Sequence, residues 1–171
     1  MILYVMRHAE AVEGSSILQD EWRFLTEGGR SAAKKMSVSI ARYGPKPRLT
    51  ITSPLTRAVQ TAELVVENAC RKNVVITSGL LLPGADIGEL IEFLKGCADA
   101  KRVLLVGHEP HLGSLVATLL SRKGEPVSLK KGACVSLKLD PFSNDKPAGF
   151  LWYLSPGKRR TTSFKKAFTP K

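Results

Sequence analysis

The sequence ILYVMRH, residues 2–8, joins a short apolar run to an arginine and a histidine. Residues 2–6 have the composition of a buried strand, and similar runs recur at Leu49–Thr52, Val74–Thr77 and residues 103–106. Stretches with helical periodicity lie between these runs, within residues 30–43, after Ser53, at 86–97 and at 111–120. This alternation predicts an α/β fold with a mainly parallel sheet, to which residues 133–139 and 150–154 add two further, antiparallel strands.

The net charge of +11 is concentrated at the carboxyl end of the chain. Residues 157–171 contain no acid and include Lys158, Arg159, Arg160, Lys165, Lys166 and Lys171. We therefore predict one folded domain over residues 1–156 and a frayed, solvated basic tail over 157–171. Because no nucleic-acid-binding motif accompanies the charge, we do not predict nucleic acid as the main partner.

Targeting signals and cysteine chemistry are not apparent in the sequence. It has no signal-peptide pattern and no apolar run approaching the ~20 residues that cross a bilayer, so we expect a cytoplasmic protein without a membrane partner. Cys70, Cys97 and Cys134 are odd in number and far apart, which favours small buried side chains over disulfides or a zinc site.

Polar residues follow three of the predicted strands. Arg7 and His8 end the first, Arg57 follows the second after Ser53-Pro54, and His108 ends the fourth in the sequence GHEP. Since ligands bind at the carboxyl ends of parallel strands, we expect these side chains to surround one site beside a helix N-terminus.

Two arginines and two histidines suit a phosphoryl group. Guanidinium groups and helix N-termini bind phosphate oxygens, and a neutral imidazole can attack phosphorus while a second, protonated imidazole meets the developing charge. This chemistry needs no metal and no cofactor. Two alternatives are an ion pair of Arg57 with Glu63 or Glu67, and a metal pair of His108 with His111. We do not predict the metal pair for two reasons. The two histidines are one residue closer together than those of the zinc motif H-E-x-x-H, and Pro110 would interrupt a helix that carried both of them. We expect His111 to cap or line the start of its helix.

The three motifs together resemble the histidine phosphatase, or phosphoglycerate mutase-like, superfamily. They are VMRHAEA around His8, SPLTRAVQTA at residues 53–62 and LLVGHEP around His108, in the same order, and the similarity covers residues 1–120. The resemblance implies a three-layer α/β/α sandwich. It also implies His8 as the phosphoryl-accepting nucleophile, Arg7 and Arg57 as phosphate clamps, and His108 as a donor to a phosphoryl oxygen.

The short chain is most similar to small phosphohistidine phosphatases of the SixA type, which implies phosphohistidine on a protein as the substrate. Ala9 replaces the family's usual glycine, and its Cβ is expected to narrow the approach of the backbone to phosphate. The candidates for a general acid are Asp86 and Glu89, although Asp86 is equally suited to cap a helix.

The identity of the acid separates the possible substrates. An ester's alkoxide needs a proton to leave, whereas the imidazole of phosphohistidine can leave as a neutral molecule. A site without a general acid therefore favours phosphohistidine as the substrate. A site in which Asp86 or Glu89 acts as the general acid favours a small phosphate ester. A third interpretation is a non-catalytic phosphate-binding module, which would have no use for a nucleophile at His8. The basic tail is expected to help meet an acidic phosphotransfer protein.

Overall fold

The structure is a computed structural model that describes residues 1–69, 74–122, 124–125, 127–140 and 146–168. Cys70 and Lys171 lie outside these ranges, so their expected places are not addressed. Within the described residues the main elements are β1 (Ile2–Arg7), α1 (Glu27–Tyr43), β2 (Leu49–Thr52), α2 (Thr56–Ala69), β3 (Val74–Thr77), α3 (Ile87–Gly96), β4 (Arg102–Gly107), α4 (His111–Leu119), β5 (Cys134–Lys138), β6 (Gly149–Leu154) and α5 (Phe164–Phe168).

The six strands form one sheet in the order β3-β2-β4-β1-β5-β6. The first four in this order are parallel to one another, β5 pairs antiparallel with β1, and β6 pairs antiparallel with β5. At the carboxyl end of β1, Arg7 pairs with Gly107 of β4, while Thr52 of β2 pairs with Val106 of the same strand. The carboxyl ends of three strands are thus adjacent, and the predicted mainly parallel α/β fold is confirmed.

Alternate residues of β1 belong to two different hydrophobic cores, as the two-residue period of a strand requires. Leu3 and Val5 pack with residues of α3 and α4, whereas Tyr4 and Met6 pack with residues of α1 and α2. All four side chains are fully buried. The sheet therefore lies between two helical layers. No helix in the described part of the chain is long and apolar enough to cross a membrane.

Two helix starts follow the predicted capping chemistry. The Thr26 hydroxyl accepts a hydrogen bond from Gly29 N at 3.0 Å, and Asp86 Oδ1 accepts one from Glu89 N at 2.8 Å. The expectation of a buried strand at Val74–Thr77 is wrong: β3 is the edge strand, and its side chains are exposed. The apolar composition of β3 resembles that of the buried strands, but β3 pairs only with β2 among the described strands, and its side chains remain exposed.

The segment after Gly157 is partly folded onto the sheet. Thr161 forms a β-bridge with Tyr153, and the Phe168 ring packs against Tyr153 with ring centroids 5.1 Å apart. Phe164 contacts the Phe150 ring edge-on at 5.8 Å. These contacts differ from the frayed tail expected from charge alone, because the aromatic residues between the cations bury apolar surface. The domain boundary at residue 156 stays a prediction.

The described cysteines are free thiols: Cys134 is buried and Cys97 is half-buried.

Candidate active site

His8 lies directly after β1, where the main chain holds it in place. Its N donates to Gly107 O and its O accepts from Gly132 N, each at 3.0 Å. The side chain is buried, and Nδ1 lies 2.7 Å from Ala9 O. Because a carbonyl oxygen only accepts, Nδ1 carries the proton and Nε2 carries the lone pair.

The charge state of His8 follows from its surroundings. Burial lowers its pKa to about 4, and the positive charges of Arg57, Arg7 and Lys131 act in the same direction against the Ala9 hydrogen bond. The imidazole is consequently neutral at pH 7, with a basic nitrogen available for attack on an electrophile.

His108 lies beside His8, with ring centroids 5.0 Å apart. Its Nε2 is 2.8 Å from Ser53 Oγ, and its buried Nδ1 has no hydrogen-bond partner among the described residues. Burial lowers the pKa of His108 to about 3, and the nearby cations act in the same direction. The expected protonated histidine is therefore neutral in the unliganded site. If the Ser53 hydroxyl donates to Nε2, the ring carries its proton on Nδ1 and can still donate.

Arg57 is buried and is held by Asp20, not by Glu63 or Glu67, the partners in the alternative interpretation. Its Nη1 donates to Asp20 O at 2.7 Å and its Nη2 to Asp20 Oδ2 at 2.9 Å. Arg23 donates to the other carboxylate oxygen at 2.9 Å. Burial raises the pKa of Asp20, but the hydrogen bonds and charges of Arg23 and Arg57 outweigh it and lower the pKa overall.

Arg7 is held by a different segment of the chain from the one that holds Arg57. Its Nη1 donates to Leu129 O at 2.9 Å, and its buried Nε has no partner within the described ranges. The nearby Glu109 follows His108 and is half-buried. Burial raises the pKa of the Glu109 carboxyl, while the backbone N–H groups of Leu129 and Gly113 and the charge of Arg7 act in the opposite direction.

Ala9 lies with its side chain in the core beside the site, and the expected effect of its Cβ on the approach of the backbone to phosphate stays a prediction. Its side chain is fully buried in a small hydrophobic cluster with Ala11, Leu25, Ala33 and Leu64. Its N donates to Thr61 Oγ1 at 3.1 Å, and the Thr61 hydroxyl donates to Arg57 O at 2.7 Å. Thr61 therefore ties the loop after His8 to the first turn of the helix that carries Arg57.

The two carboxylates proposed as general acids have no hydrogen bond to this group of side chains. Asp86 and Glu89 are both exposed, and among the described residues neither forms a hydrogen bond or an ion pair with the two histidines or two arginines. The negative charge of Asp86 acts on His111 instead, raising a pKa that burial lowers overall. His111 is buried at the first turn of α4, as expected. In the described part of the chain, no three His, Cys, Asp or Glu side chains form a group that could hold a metal ion.

The structure thus brings together four of the residues predicted from sequence: Arg7, His8, Arg57 and His108. Sequence reasoning missed Asp20, which begins a three-residue 3-10 helix (Asp20–Trp22), and it missed the roles of Ser53 and Thr61 as hydrogen-bond partners. Both of these lie inside the SPLTRAVQTA motif, so their positions were a usable signal. The resulting pocket combines a neutral nucleophile with two permanent cations, an arrangement suited to a tetrahedral oxyanion.

Comparison with known proteins identifies similar chains. The family model of the histidine phosphatase superfamily (branch 1) matches residues 3–81. An uncharacterised protein of Picosynechococcus sp. is 32% identical over 142 residues, which are 81% of this chain and 85% of that protein. A 2,3-bisphosphoglycerate-dependent phosphoglycerate mutase of Xanthobacter autotrophicus is 33% identical over 102 residues, covering 58% of this chain and 49% of the mutase. The structure of the protein histidine phosphatase SixA complexed with tungstate superposes with a TM-score of 0.78 at 28% identity, covering 91% of this chain and 97% of that one.

Proposed function

This chain belongs to the histidine phosphatase superfamily, and we propose that it is a metal-independent phosphatase acting through a covalent phosphohistidine at His8. One observation carries the proposal: the bond from Nδ1 to Ala9 O leaves the lone pair of a neutral imidazole on Nε2, beside two guanidinium groups. The relative complexed with tungstate is consistent with it, because tungstate is a tetrahedral oxyanion like phosphate.

In the first step, His8 Nε2 forms a bond to phosphorus while the bond to the leaving group breaks on the opposite side. The Ala9 carbonyl oxygen stabilises the positive charge that develops on the ring, since it accepts from Nδ1. Arg7 and Arg57 each retain N–H donors that no described residue uses, and these meet the equatorial oxygens. Nδ1 of His108 supplies a further hydrogen bond.

In the second step, water attacks phosphorus and His8 leaves as a neutral imidazole. The water's proton passes to solvent or to a phosphate oxygen, and inorganic phosphate is released. The pKa of His8, about 4, favours this departure because a weakly basic ring is a good leaving group.

We infer that the substrate is phosphohistidine on a protein. Among the described residues neither Asp86 nor Glu89 forms a hydrogen bond or an ion pair with the two histidines or two arginines, so neither of these carboxylates is assigned as a proton donor to an alkoxide leaving group. The imidazole of phosphohistidine can be protonated on its far nitrogen before the bond breaks, and it needs no acid. The similarity to a protein histidine phosphatase supports the same substrate class.

A small phosphate ester is the second candidate substrate, and Glu109 is the observation that favours it. Its carboxyl follows His108 directly, and burial raises its pKa toward the range of a general acid. On this alternative Glu109, rather than Asp86 or Glu89, would protonate the leaving oxygen.

A comparison of substrates tests the proposal. Wild-type protein and the His8→Asn variant are incubated with a phosphohistidine peptide, a phosphoserine peptide and p-nitrophenyl phosphate, with and without a chelator. Asparagine keeps an N–H near the position of Nδ1 but has no nucleophile. We expect kcat/KM for the phosphohistidine peptide to exceed that for the phosphoserine peptide, whose alkoxide needs a proton to leave, by ~10²–10⁴-fold. We also expect no effect of the chelator and no turnover by the variant. Absence of turnover in the wild type, or loss of activity with the chelator, would refute the proposal.

A further inference from the structure

A basic groove runs along the outer face of α1 and is closed on its other side by residues 154–160. Its volume is about 760 Å³. Four cations line it, Lys35 from α1 and Lys158, Arg159 and Arg160 from the opposite wall, and no acidic residue is among its described lining.

Most of this positive charge is available to a ligand. Lys35, Lys158 and Arg159 are exposed and form no ion pair with any described residue. Arg160 is fixed differently: its guanidinium lies over the Tyr43 ring, 4.5 Å from the centroid. The groove is therefore lined by one cation that is fixed on the Tyr43 ring and by three cations that form no ion pair with a described residue.

One wall of the groove contacts the segment that holds the main chain of His8. Pro156, in one wall, packs against Gly132, so that a Cβ at Gly132 would lie 3.1 Å from Pro156 Cγ. Gly132 N in turn donates to His8 O at 3.0 Å, and the neighbouring Lys131 is close enough for its charge to lower the pKa of His8. A chain bound in the groove could thus continue into the site.

The dimensions of the groove suit a peptide rather than a metabolite. The lining residues of α1 run from Gly28 to Tyr43, which at ~1.5 Å per residue is about 22 Å. At ~3.3 Å per residue, about six or seven extended residues cover this distance.

We propose that the basic groove is the docking site for an acidic segment of the phosphoprotein substrate, adjoining its phosphohistidine. This inference rests on the proposed function, since it assigns the partner of the same site. An acidic segment satisfies the unpaired cations without opposing any described acid in the lining. Docking by exposed charges acts mainly on association and weakens as salt screens it.

The test uses two phosphohistidine peptides that differ only in a six-residue flank, acidic in one and Ser-Gly in the other, with the flank placed on either side. The groove variant is Lys35→Glu/Arg159→Glu. The matched control is Arg48→Glu/Lys138→Glu, which makes the same change of charge on exposed residues. Arg48 precedes β2 and Lys138 pairs with Ile2, so both lie at the amino ends of the parallel strands, away from their carboxyl ends. Activity on p-nitrophenyl phosphate reports the site alone, and fluorescence anisotropy measures binding of an unphosphorylated acidic peptide and of an RNA 12-mer.

We expect the wild type and the control to prefer the acidic flank about tenfold in kcat/KM at low salt, and less than about twofold in 0.5 M salt. The groove variant should lose this preference and its binding of the acidic peptide, with unchanged p-nitrophenyl phosphate turnover. Equal use of both flanks by the wild type, an undiminished preference in the groove variant, or tighter groove-dependent binding of RNA than of peptide would overturn the docking proposal. Failure to hydrolyse either peptide would count against the proposed function, while the binding measurement would still decide on the groove.

Discussion

Replacing Ser53 with alanine removes the hydroxyl that holds His108. Ser53 is fully buried, and its Oγ lies 2.8 Å from His108 Nε2, with Leu55 N donating to it at 3.3 Å. In Ser53→Ala both of these nitrogens lose their partner, and the buried imidazole loses the contact that selects its tautomer.

Two magnitudes follow from this geometry. An unsatisfied buried polar group costs ~1–3 kcal/mol, so the free energy of unfolding should fall by that amount. A misplaced catalytic group costs ~10²-fold when it moves by about 1 Å, and a ring that is free to reorient should lower kcat/KM by ~10–100-fold.

Ser37→Ala is the matched control. Ser37 is also fully buried, and its hydroxyl donates to Val65 O at 2.7 Å, in the contact between α1 and α2. The control should lose ~1 kcal/mol of stability with unchanged kcat/KM. Urea unfolding gives the stabilities, and steady-state hydrolysis of a phosphohistidine peptide gives the activities. Full activity in Ser53→Ala, or an equal loss in both variants, would refute the assigned role of Ser53.

Three further predictions concern the charge of His8, the role of Glu109 and the C-terminal helix. The His8 ring should titrate near pH 4 when followed by NMR, and a midpoint near 6.5 would contradict the prediction. Because the pKa of His8 in the unfolded chain is near 6.5, the unfolded chain binds more protons than the folded protein between pH 4 and pH 6.5. The free energy of unfolding should therefore rise with pH across this window, with a contribution from His8 on the order of 3 kcal/mol. Glu109→Gln should keep phosphohistidine turnover within about threefold of the wild type, and a ~10²-fold loss would instead identify Glu109 as the acid. Phe168→Ala should lower the free energy of unfolding by ~1–3 kcal/mol through lost packing on Tyr153, and unchanged urea unfolding would show that α5 contributes nothing.

The fold and the core of the site could be predicted from sequence because local patterns specify them. Apolar runs of strand length, the Thr26 and Asp86 caps and the polar residues after β1 and β4 are all readable along the chain. The partner of Arg57 was not, since Asp20 belongs to a 3-10 helix of only three residues, too short to show a periodic pattern, and meets Arg57 only through tertiary packing.

Burial explains the remaining differences. The neutral state of His108 depends on desolvation by surrounding elements, which a linear sequence does not display. The exposure of β3 depends on its place at the sheet edge. Each of these properties is set by neighbours distant along the chain.

The most direct measurement of the central claim is the capture of a phosphorylated enzyme. Wild-type protein and His8→Asn are mixed with a phosphohistidine peptide, quenched in alkali within milliseconds, digested and sequenced by mass spectrometry. We predict a phosphoryl group on His8 of the wild type, attached at Nε2, that decays as inorganic phosphate appears, and none in the variant. Phosphate release without a phosphorylated intermediate, or a phosphoryl group on another residue, would contradict nucleophilic catalysis by His8.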